Sequence, residues 1–450
     1  MALTGLQIYK LLPKTNCKEC GFPTCLAFAM KLAAKQAELA SCPYVTEEAK
    51  VQLEAAAAPP IRLVTISSDG RKISVGNETV LFRHEKTFYH PPGLLVRVRD
   101  TMPLEEVKAT AAQVANYSVE YVGLHLSMDG IAVEAASGDA AAFARCVAAV
   151  REVADMPLVL MAQDPVVMEA GLEAAAGTTP LIYAADADNW QAMAELARRY
   201  KAPLAVRTDG DLNALANLVE QVKGTGIQDL VLDPGALGFY ESLAALTQIR
   251  RLALKKNFRP LGFPIITFPG QGVESVAEEV MLAGQHIAKY AGFVVMDHFQ
   301  PAIAYPLLTL RQNIYTDPQK PIQVKPGLYE INNPQPDSPL MVTTNFSITY
   351  FSVANEVDGS GLPGWLLVAD AEGMSVLTAW AAGKFDAEKI AKAVTTTGIA
   401  DRISHRKLII PGAVAVLMGE LEEELPGWEI LVGPREAVDL PAFLKLWTAT

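Results

Sequence analysis

Leu204-Ala205-Val206-Arg207-Thr208-Asp209, then a helical stretch over Leu212–Val222, then Leu230-Val231-Leu232-Asp233: this segment sets the architecture. Each apolar run is short and closes on polar residues, and the segment between them has helical length, so the order is strand, helix, strand. Similar runs occur at Leu94–Val98, Tyr121–Leu126, Leu158–Met161, Leu181–Tyr183, Ile265–Phe268 and Phe293–Met296. Helical stretches such as Ala140–Val153, Trp190–Tyr200 and Val273–Tyr290 separate them. Eight strand–helix pairs in about 230 residues match a (β/α)8 TIM barrel in count and length. A doubly wound sheet is the rival, but even repeats without a Gly-rich fingerprint favour the barrel, placed at 93–325.

Working outward, residues 59–92 read as hairpins. Arg62–Ile66 and Lys72–Val75 flank Asp69-Gly70, a strong turn signal, and could plug one end of the barrel. Residues 1–58 form a small unit closed by Pro59-Pro60. Four of the five cysteines lie here, three of them in Cys17-Lys-Glu-Cys20-Gly-Phe-Pro-Thr-Cys25. The fourth, Cys42, follows a helical stretch over Leu26–Leu39 and precedes Pro43, and a second helical piece ends in Ala55–Ala58. Four converging thiolates suit a [4Fe-4S] cluster, and also a tetrahedral zinc ion. Zinc ribbons usually pair two Cys-x-x-Cys knuckles, and one is present, so the cluster is favoured and zinc remains the alternative.

Beyond the barrel, residues 316–340 hold Pro318, Pro321, Pro326, Pro334, Pro336 and Pro339, a density that reads as an interdomain linker. Four strand candidates follow at Leu340–Tyr350, Leu366–Ala369, Lys407–Ile410 and Glu429–Val432. With helical stretches at Ser375–Ala382, Ala387–Val394, Val414–Leu425 and Pro441–Trp447 they give a second, smaller, Rossmann-like α/β domain over 326–450. The net charge of −12 argues against a nucleic-acid or anionic-membrane partner. The start of the chain has no basic n-region with an apolar h-region, and no apolar run approaches membrane length, so a cytoplasmic protein is expected. Clustered thiols there read as metal ligands rather than disulfides.

Barrel strands end in polar residues: Arg97 to Asp100, Ser127-Met128-Asp129, Gln163-Asp164, Asp186, Arg207 to Asp209, Asp233 and Asp297-His298. Barrel enzymes place their chemistry on this rim, yet Asp after a strand is also the ordinary cap of the next helix. Asp297-His298 lacks the spacing and later glycine of the Asp-x-His-x-x-Gly cobalt-ligand motif. Cys146 lies among Ala and Val and reads as a buried small hydrophobe. Gly359-Ser360-Gly361 precedes a strand instead of following one and reads as a loop. The C-terminal domain carries a sharper signal in Val368–Thr378, Ile409-Ile410-Pro411-Gly412 and Leu431-Val432-Gly433-Pro434. Small residues at strand ends let a large flat ligand approach the backbone, or are simply turn residues.

The Cys17/Cys20/Cys25/Cys42 arrangement, Thr343-Thr344-Asn345-Phe346, Glu372–Trp380 and Val432-Gly433-Pro434 resemble the large subunit of corrinoid iron–sulfur proteins of the acetyl-CoA (Wood–Ljungdahl) pathway. The likeness runs over essentially the whole chain. It implies a [4Fe-4S] domain held by those cysteines, a central barrel and a C-terminal corrinoid (cobalamin) domain. It also implies a heterodimer with a small corrinoid iron–sulfur subunit. The cobalt would accept a methyl group from methyltetrahydrofolate through a separate methyltransferase and donate it to acetyl-CoA synthase. The cluster, fed by a low-potential electron donor, would return oxidised Co(II) to Co(I). With the resemblance in hand, Gly373, Met374, Ser375, Val376 and Leu377 suit the lower face of the corrin. Thr343, Thr344 and Tyr350 can reach its amide arms, and Asn345, Phe346, Gly412, Gly433 and Pro434 complete the expected contacts. His405 is the only histidine after His298, and the resemblance implies no ligation by it, hence a base-off cofactor with no protein imidazole on cobalt. Such a protein is a carrier more than a free-standing catalyst, and the proline-rich segment would let a domain move between partners. The other readings are a corrinoid-free electron-transfer subunit, and a barrel that is itself a pterin-dependent methyltransferase.

Overall fold

The computed structural model describes the chain except for residues 1–4, 34–36, 38, 47–48, 51–52, 54–58, 122–123, 236–237, 318–321 and 448–450. The chain divides into two units: Met1–Tyr117 with Ser127–Tyr315, and Ser118–Leu126 with Thr316–Thr450.

In the first unit, helices α1 (Gly5–Leu11) and α2 (Cys25–Ala33) enclose a small core of Ile8, Leu12, Phe28, Ala29 and Val45, joined by Cys25 and Cys42. The α2 helix starts where the Thr24 hydroxyl accepts from the Ala27 amide at 3.1 Å. Its expected continuation to Leu39 and the helical piece at Ala55–Ala58 fall wholly or partly outside the described residues. Strands β1 (Val64–Ser67) and β2 (Lys72–Val75) form the expected antiparallel hairpin, in register Val64 to Val75. Its inward residues Val64, Ile66, Ile73 and Val75 share one apolar core with the barrel-strand residues Leu95, Val159, Val231 and Val295. The hairpin stops the end of the barrel from which the strands start: Ser67 bridges Thr179, just ahead of a strand.

The barrel strands are β3 (Gly93–Arg99), β6 (Gly130–Glu134), β7 (Leu158–Met161), β8 (Leu181–Ala185), β9 (Leu204–Arg207), β10 (Leu230–Asp233), β11 (Ile266–Thr267) and β12 (Phe293–Met296). They pair in parallel in the order β10-β9-β8-β7-β6-β3-β12-β11, and a bridge from Leu232 to Ile265 joins the two ends. The strands are buried along almost their whole length, which is why they read as continuous apolar runs. Among the described residues, eight helices surround them: α3 (Leu104–Asn116), α4 (Ala140–Val153), α5 (Pro165–Ala174), α6 (Trp190–Tyr200), α7 (Leu212–Gly224), α8 (Phe239–Lys255), α9 (Val276–Ala288) and α10 (Pro301–Ile314).

One expected strand is corrected. Tyr121–Leu126 is not in the barrel. It falls in a separate two-stranded sheet of β4 (Ser118–Tyr121) and β5 (Leu124–Ser127), grouped with the second unit. The exposure of Ser118–Tyr121 alternates, whereas Gly130–Glu134, the true second barrel strand, is buried on both faces. Ser127–Asp129 therefore precede a barrel strand instead of ending one. Asp129 Oδ2 accepts from the Leu94 amide at 2.8 Å and pairs with Arg311, so it braces the end of the barrel opposite the rim.

His286 on α9 is 4% exposed, and neither of its ring nitrogens has a hydrogen-bond partner. Burial pulls its pKa from 6.5 down to about 4. The unfolded chain therefore protonates first, so this stability is present above pH 6.5 and is lost as pH falls toward 4. The loss amounts to about 3 kcal/mol across that window. His286→Leu should flatten the pH dependence of thermal melting over the same range; an unchanged slope would show that the imidazole is not the group responsible.

In the second unit, β13 (Gly327–Ile331), β14 (Leu340–Thr344), β15 (Gly364–Ala369), β16 (Lys407–Ile410) and β17 (Glu429–Val432) form one sheet in the order β13-β15-β14-β16-β17. All neighbours are parallel except β13, an antiparallel edge strand. Two expectations change here. The proline-rich stretch is not all linker, because Gly327–Ile331 pairs along β15. Leu340–Tyr350 is not a single strand: β14 ends at Thr344, and α11 (Ser347–Ser360) follows. Gly359 and Ser360 belong to that helix, and Gly361 closes it in a left-handed conformation at φ 69°. The remaining helices are α12 (Val376–Ala381), α13 (Ala387–Thr397), α14 (Met418–Glu424) and α15 (Leu440–Leu444). Among the described residues, no helix is long and apolar enough to cross a membrane.

Candidate functional site

The sheet of the second unit reverses its order at β14. The chain leaves β14 through α11 to β15 on one side, and later returns to β16 on the other. Open α/β sheets bind ligands outside the carboxyl ends of their strands at such a switch point. A crevice of about 1050 Å³ opens there. Its floor includes Thr343 and Ile410, one wall is α11, and the other is built from Ser375–Leu377 and the segment from Gly433 to Val438. Ile348, Leu377 and Val438 are 65%, 55% and 66% exposed on it, an apolar rim in need of a cover. The Thr343 and Thr344 hydroxyl oxygens are buried and have no hydrogen-bond partner. A buried hydroxyl left unpaired costs about 1–3 kcal/mol, and Thr343 lies in the lining, where a polar ligand atom would relieve that cost.

Of the expected contacts, Thr343, Phe346, Ser375, Val376, Leu377, Gly433 and Pro434 line this crevice. The others lie beneath or beside it. Asn345 is 1% exposed and uses its whole amide: Nδ2 donates to Gln323 Oε1 and Asp370 Oδ1, and Oδ1 accepts from the Ala371 and Gly373 amides at 2.9 and 3.0 Å. It clamps the turn in which Gly373 takes φ 73° and which leads into Ser375. Met374 packs on the domain core. Thr344 lies under the floor, and Tyr350 packs on Tyr329 with ring centres 5.1 Å apart. Gly412 is small for a reason of packing: a Cβ there would sit 2.4 Å from the Gly433 carbonyl oxygen. Ile348, Phe351, Ser352, Asn355 and Glu356 on α11 went unread. Their i, i+3, i+4, i+7, i+8 spacing marks a single helix face and would have revealed them had the segment been taken as a helix.

Neither histidine of this unit lines the crevice. His405 Nε2 donates to the Ser338 carbonyl at 2.9 Å, while Nδ1 accepts from the Lys407 amide at 3.1 Å. His125 is exposed on β5 and does not line the crevice.

In the N-terminal lobe, Cys25 and Cys42 are buried, Cys20 is half-buried and Cys17 is exposed. Cys20, Cys25 and Cys42 share one core. Asn16 brackets Cys25: its amide lies 3.4 Å from Cys25 Sγ, and its side chain accepts from the Cys25 amide at 2.8 Å. Among the described residues, no three Cys, His or carboxylate side chains converge on the space of a single ion. A zinc ion needs all its sulfurs about 2.3 Å away, whereas a cluster takes one thiolate per iron and spreads them apart. A set of four thiols suits such a cluster.

The barrel rim is an ion-pair network. Arg97 grips Asp297 with two hydrogen bonds of 2.7 Å, and Arg99 joins Glu134 to Asp297. His298 Nδ1 meets the fully buried Glu279 at 2.5 Å, and the same carboxylate accepts from the Asp297 amide. Asp164 and Asp186 accept from amides of the following residues, as caps do. Burial raises the Asp233 carboxyl above its usual range, and the Tyr183 hydroxyl donates to it at 2.6 Å. The groups therefore hold one another in place.

Fold and sites together define a class: a barrel protein that joins a four-thiol lobe to a small α/β domain with an open, apolar-rimmed crevice. A family model described as CO dehydrogenase/acetyl-CoA synthase delta subunit matches residues 63–444, and one described as "Putative Fe-S cluster" matches residues 12–44. The corrinoid/iron-sulfur protein large subunit of Moorella thermoacetica is 46% identical over 99% of both chains. The acetyl-CoA decarbonylase/synthase complex subunit gamma of Methanopyrus kandleri is 36% identical, over 98% of this chain and 97% of its own. A solved dihydropteroate synthase from Xanthomonas albilineans covers 56% of this chain and all of its own at 17% identity and a TM-score of 0.39, too slight a likeness to bear on function. The chain belongs to the family of corrinoid/iron–sulfur protein large subunits and acetyl-CoA decarbonylase/synthase gamma subunits.

Proposed function

We propose that this chain carries a methyl group on a corrinoid seated in the crevice, and that Cys17, Cys20, Cys25 and Cys42 hold a [4Fe-4S] cluster that keeps the cobalt reduced. The observation that carries the reading is the crevice itself: a wide apolar rim over an unpaired, buried threonine hydroxyl at the switch point of the sheet. Bound there, the corrinoid would supply a cobalt centre able to take a methyl group from methyltetrahydrofolate, through a methyltransferase, and pass it to acetyl-CoA synthase. Val376, Leu377, Ile348 and Phe351 exclude water from one face of the ligand, and Thr343 offers its hydroxyl to a polar arm. The Asn345 clamp fixes the height of Ser375–Leu377 beneath it. The cofactor is read as base-off: no histidine is among the described residues lining the crevice, and His405 is bonded through both ring nitrogens. The exposed rim fits burial against a small corrinoid iron–sulfur subunit, and a low-potential donor would feed the cluster. Anaerobic protein co-expressed with that subunit should contain about four iron atoms and one cobalt per large chain, with corrinoid bands beyond the broad cluster absorption. Iron without cobalt would reduce the chain to an electron-transfer subunit.

A further inference from the structure

We propose that Gln323, from the proline-rich segment, is a positioning residue for the cofactor: it braces the two walls of the crevice against each other and so slows release of the corrinoid. The inference deepens the corrinoid reading above and rests on it. Gln323 is half-buried and is not among the residues that line the crevice. It stands instead where three segments distant in sequence meet, and it touches the start of each wall. Its backbone forms an antiparallel bridge with Phe346, where β14 gives way to α11. Beside it, the Val324 amide donates to the Asn345 carbonyl at 2.9 Å. Val324 is fully buried in one core with Met341, Val357 and Val368, so an apolar side chain anchors this segment on the sheet.

The Gln323 side chain serves the second wall. Its Oε1 accepts from Asn345 Nδ2 at 3.2 Å, and the same Nδ2 donates to Asp370. Its stem lies against the turn that leads into Ser375: a Cβ at Gly373 would sit 2.6 Å from Gln323 Cγ. Gly373 therefore meets two demands, a φ of 73° and room for Gln323. Asn345 holds this turn through the Ala371 and Gly373 amides, while Gln323 bears on it from outside the clamp. One wall begins at Phe346 and the other runs on from Gly373 to Ser375, Val376 and Leu377, so this single residue spaces the two. Walls fixed before the ligand arrives lower the ordering cost of binding and oppose its escape. Without Gln323 the Asn345 amide loses one of its two acceptors, and the turn loses the side chain that bears on it.

Release of bound cofactor decides the matter. The heterodimer is loaded with radiolabelled cobalamin and chased with an excess of the unlabelled compound. Gln323→Ala should release the label about tenfold faster than the unaltered protein. Gln323→Glu keeps the length of the side chain and an oxygen to accept from Asn345, and should stay within about twofold of the unaltered rate. In the corrinoid-free heterodimer, hydrogen exchange over residues 371–377 should quicken in Gln323→Ala and not in Gln323→Glu, with exchange in the barrel unchanged in both. An unaltered release rate in Gln323→Ala, or release from Gln323→Glu as fast as from Gln323→Ala, overturns the brace and leaves the corrinoid reading standing. Unaltered protein that retains no cobalamin overturns that reading, and the brace with it.

Discussion

Cys20→Ala is expected to end reductive rescue of the cobalt while sparing methyl transfer. Cys20 is half-buried in the same small core as Cys25 and Cys42, so its loss would take one of the four proposed ligands from the cluster and leave the residues of the crevice unaltered. Iron should fall from about four per large chain to below one. Protein supplied already reduced should transfer methyl groups at the unaltered rate, whereas oxidised protein given a low-potential donor should remain inactive. Loss of transfer from pre-reduced protein as well would mean that the cluster takes part in every turnover rather than in repair.

Asn345→Ala should have the largest effect on the crevice, although Asn345 does not line it. The substitution removes four hydrogen bonds at once and leaves the buried Ala371 and Gly373 amides unpaired. A loss of about 3 kcal/mol in the stability of the second unit is expected. The turn would no longer hold Gly373 at φ 73°, and the Ser375–Leu377 wall would shift. Corrinoid affinity should drop about tenfold or more, even at temperatures where the variant remains folded. Thr343→Val, nearly the same in shape, removes only the unpaired hydroxyl and serves as the comparison. If Asn345→Ala bound corrinoid as tightly as the unaltered chain, the clamp would have no part in shaping the site.

The barrel was legible because its strands are buried on both faces and appear as uninterrupted apolar runs between helices. The same rule misplaced Tyr121–Leu126, a largely apolar run: the alternating exposure of Ser118–Tyr121 and the exposed His125 belong to a hairpin with one wet face. The break between β14 and α11 was hidden for a different reason. Phe346 to Tyr350 is rich in residues that also favour strands, and what ends the strand is long-range, the hold of Asn345 on Asp370, Ala371 and Gly373. Once that boundary was lost, the α11 face of the crevice could not be read. The glycines were visible as small residues at strand ends, but only the folded chain shows that Gly412 gives room to the Gly433 carbonyl. On the rim, chain-local caps such as Asp164 could be anticipated, whereas the grip of Arg97 on Asp297 joins residues 200 positions apart.

The most direct test of the account is electron paramagnetic resonance of the Co(II) form of the heterodimer. With His405 bonded through both ring nitrogens and His125 outside the crevice, the cobalt spectrum should show no nitrogen superhyperfine splitting. A splitting from one axial nitrogen would contradict the base-off assignment, and a sample with no cobalt signal at all would contradict the corrinoid itself.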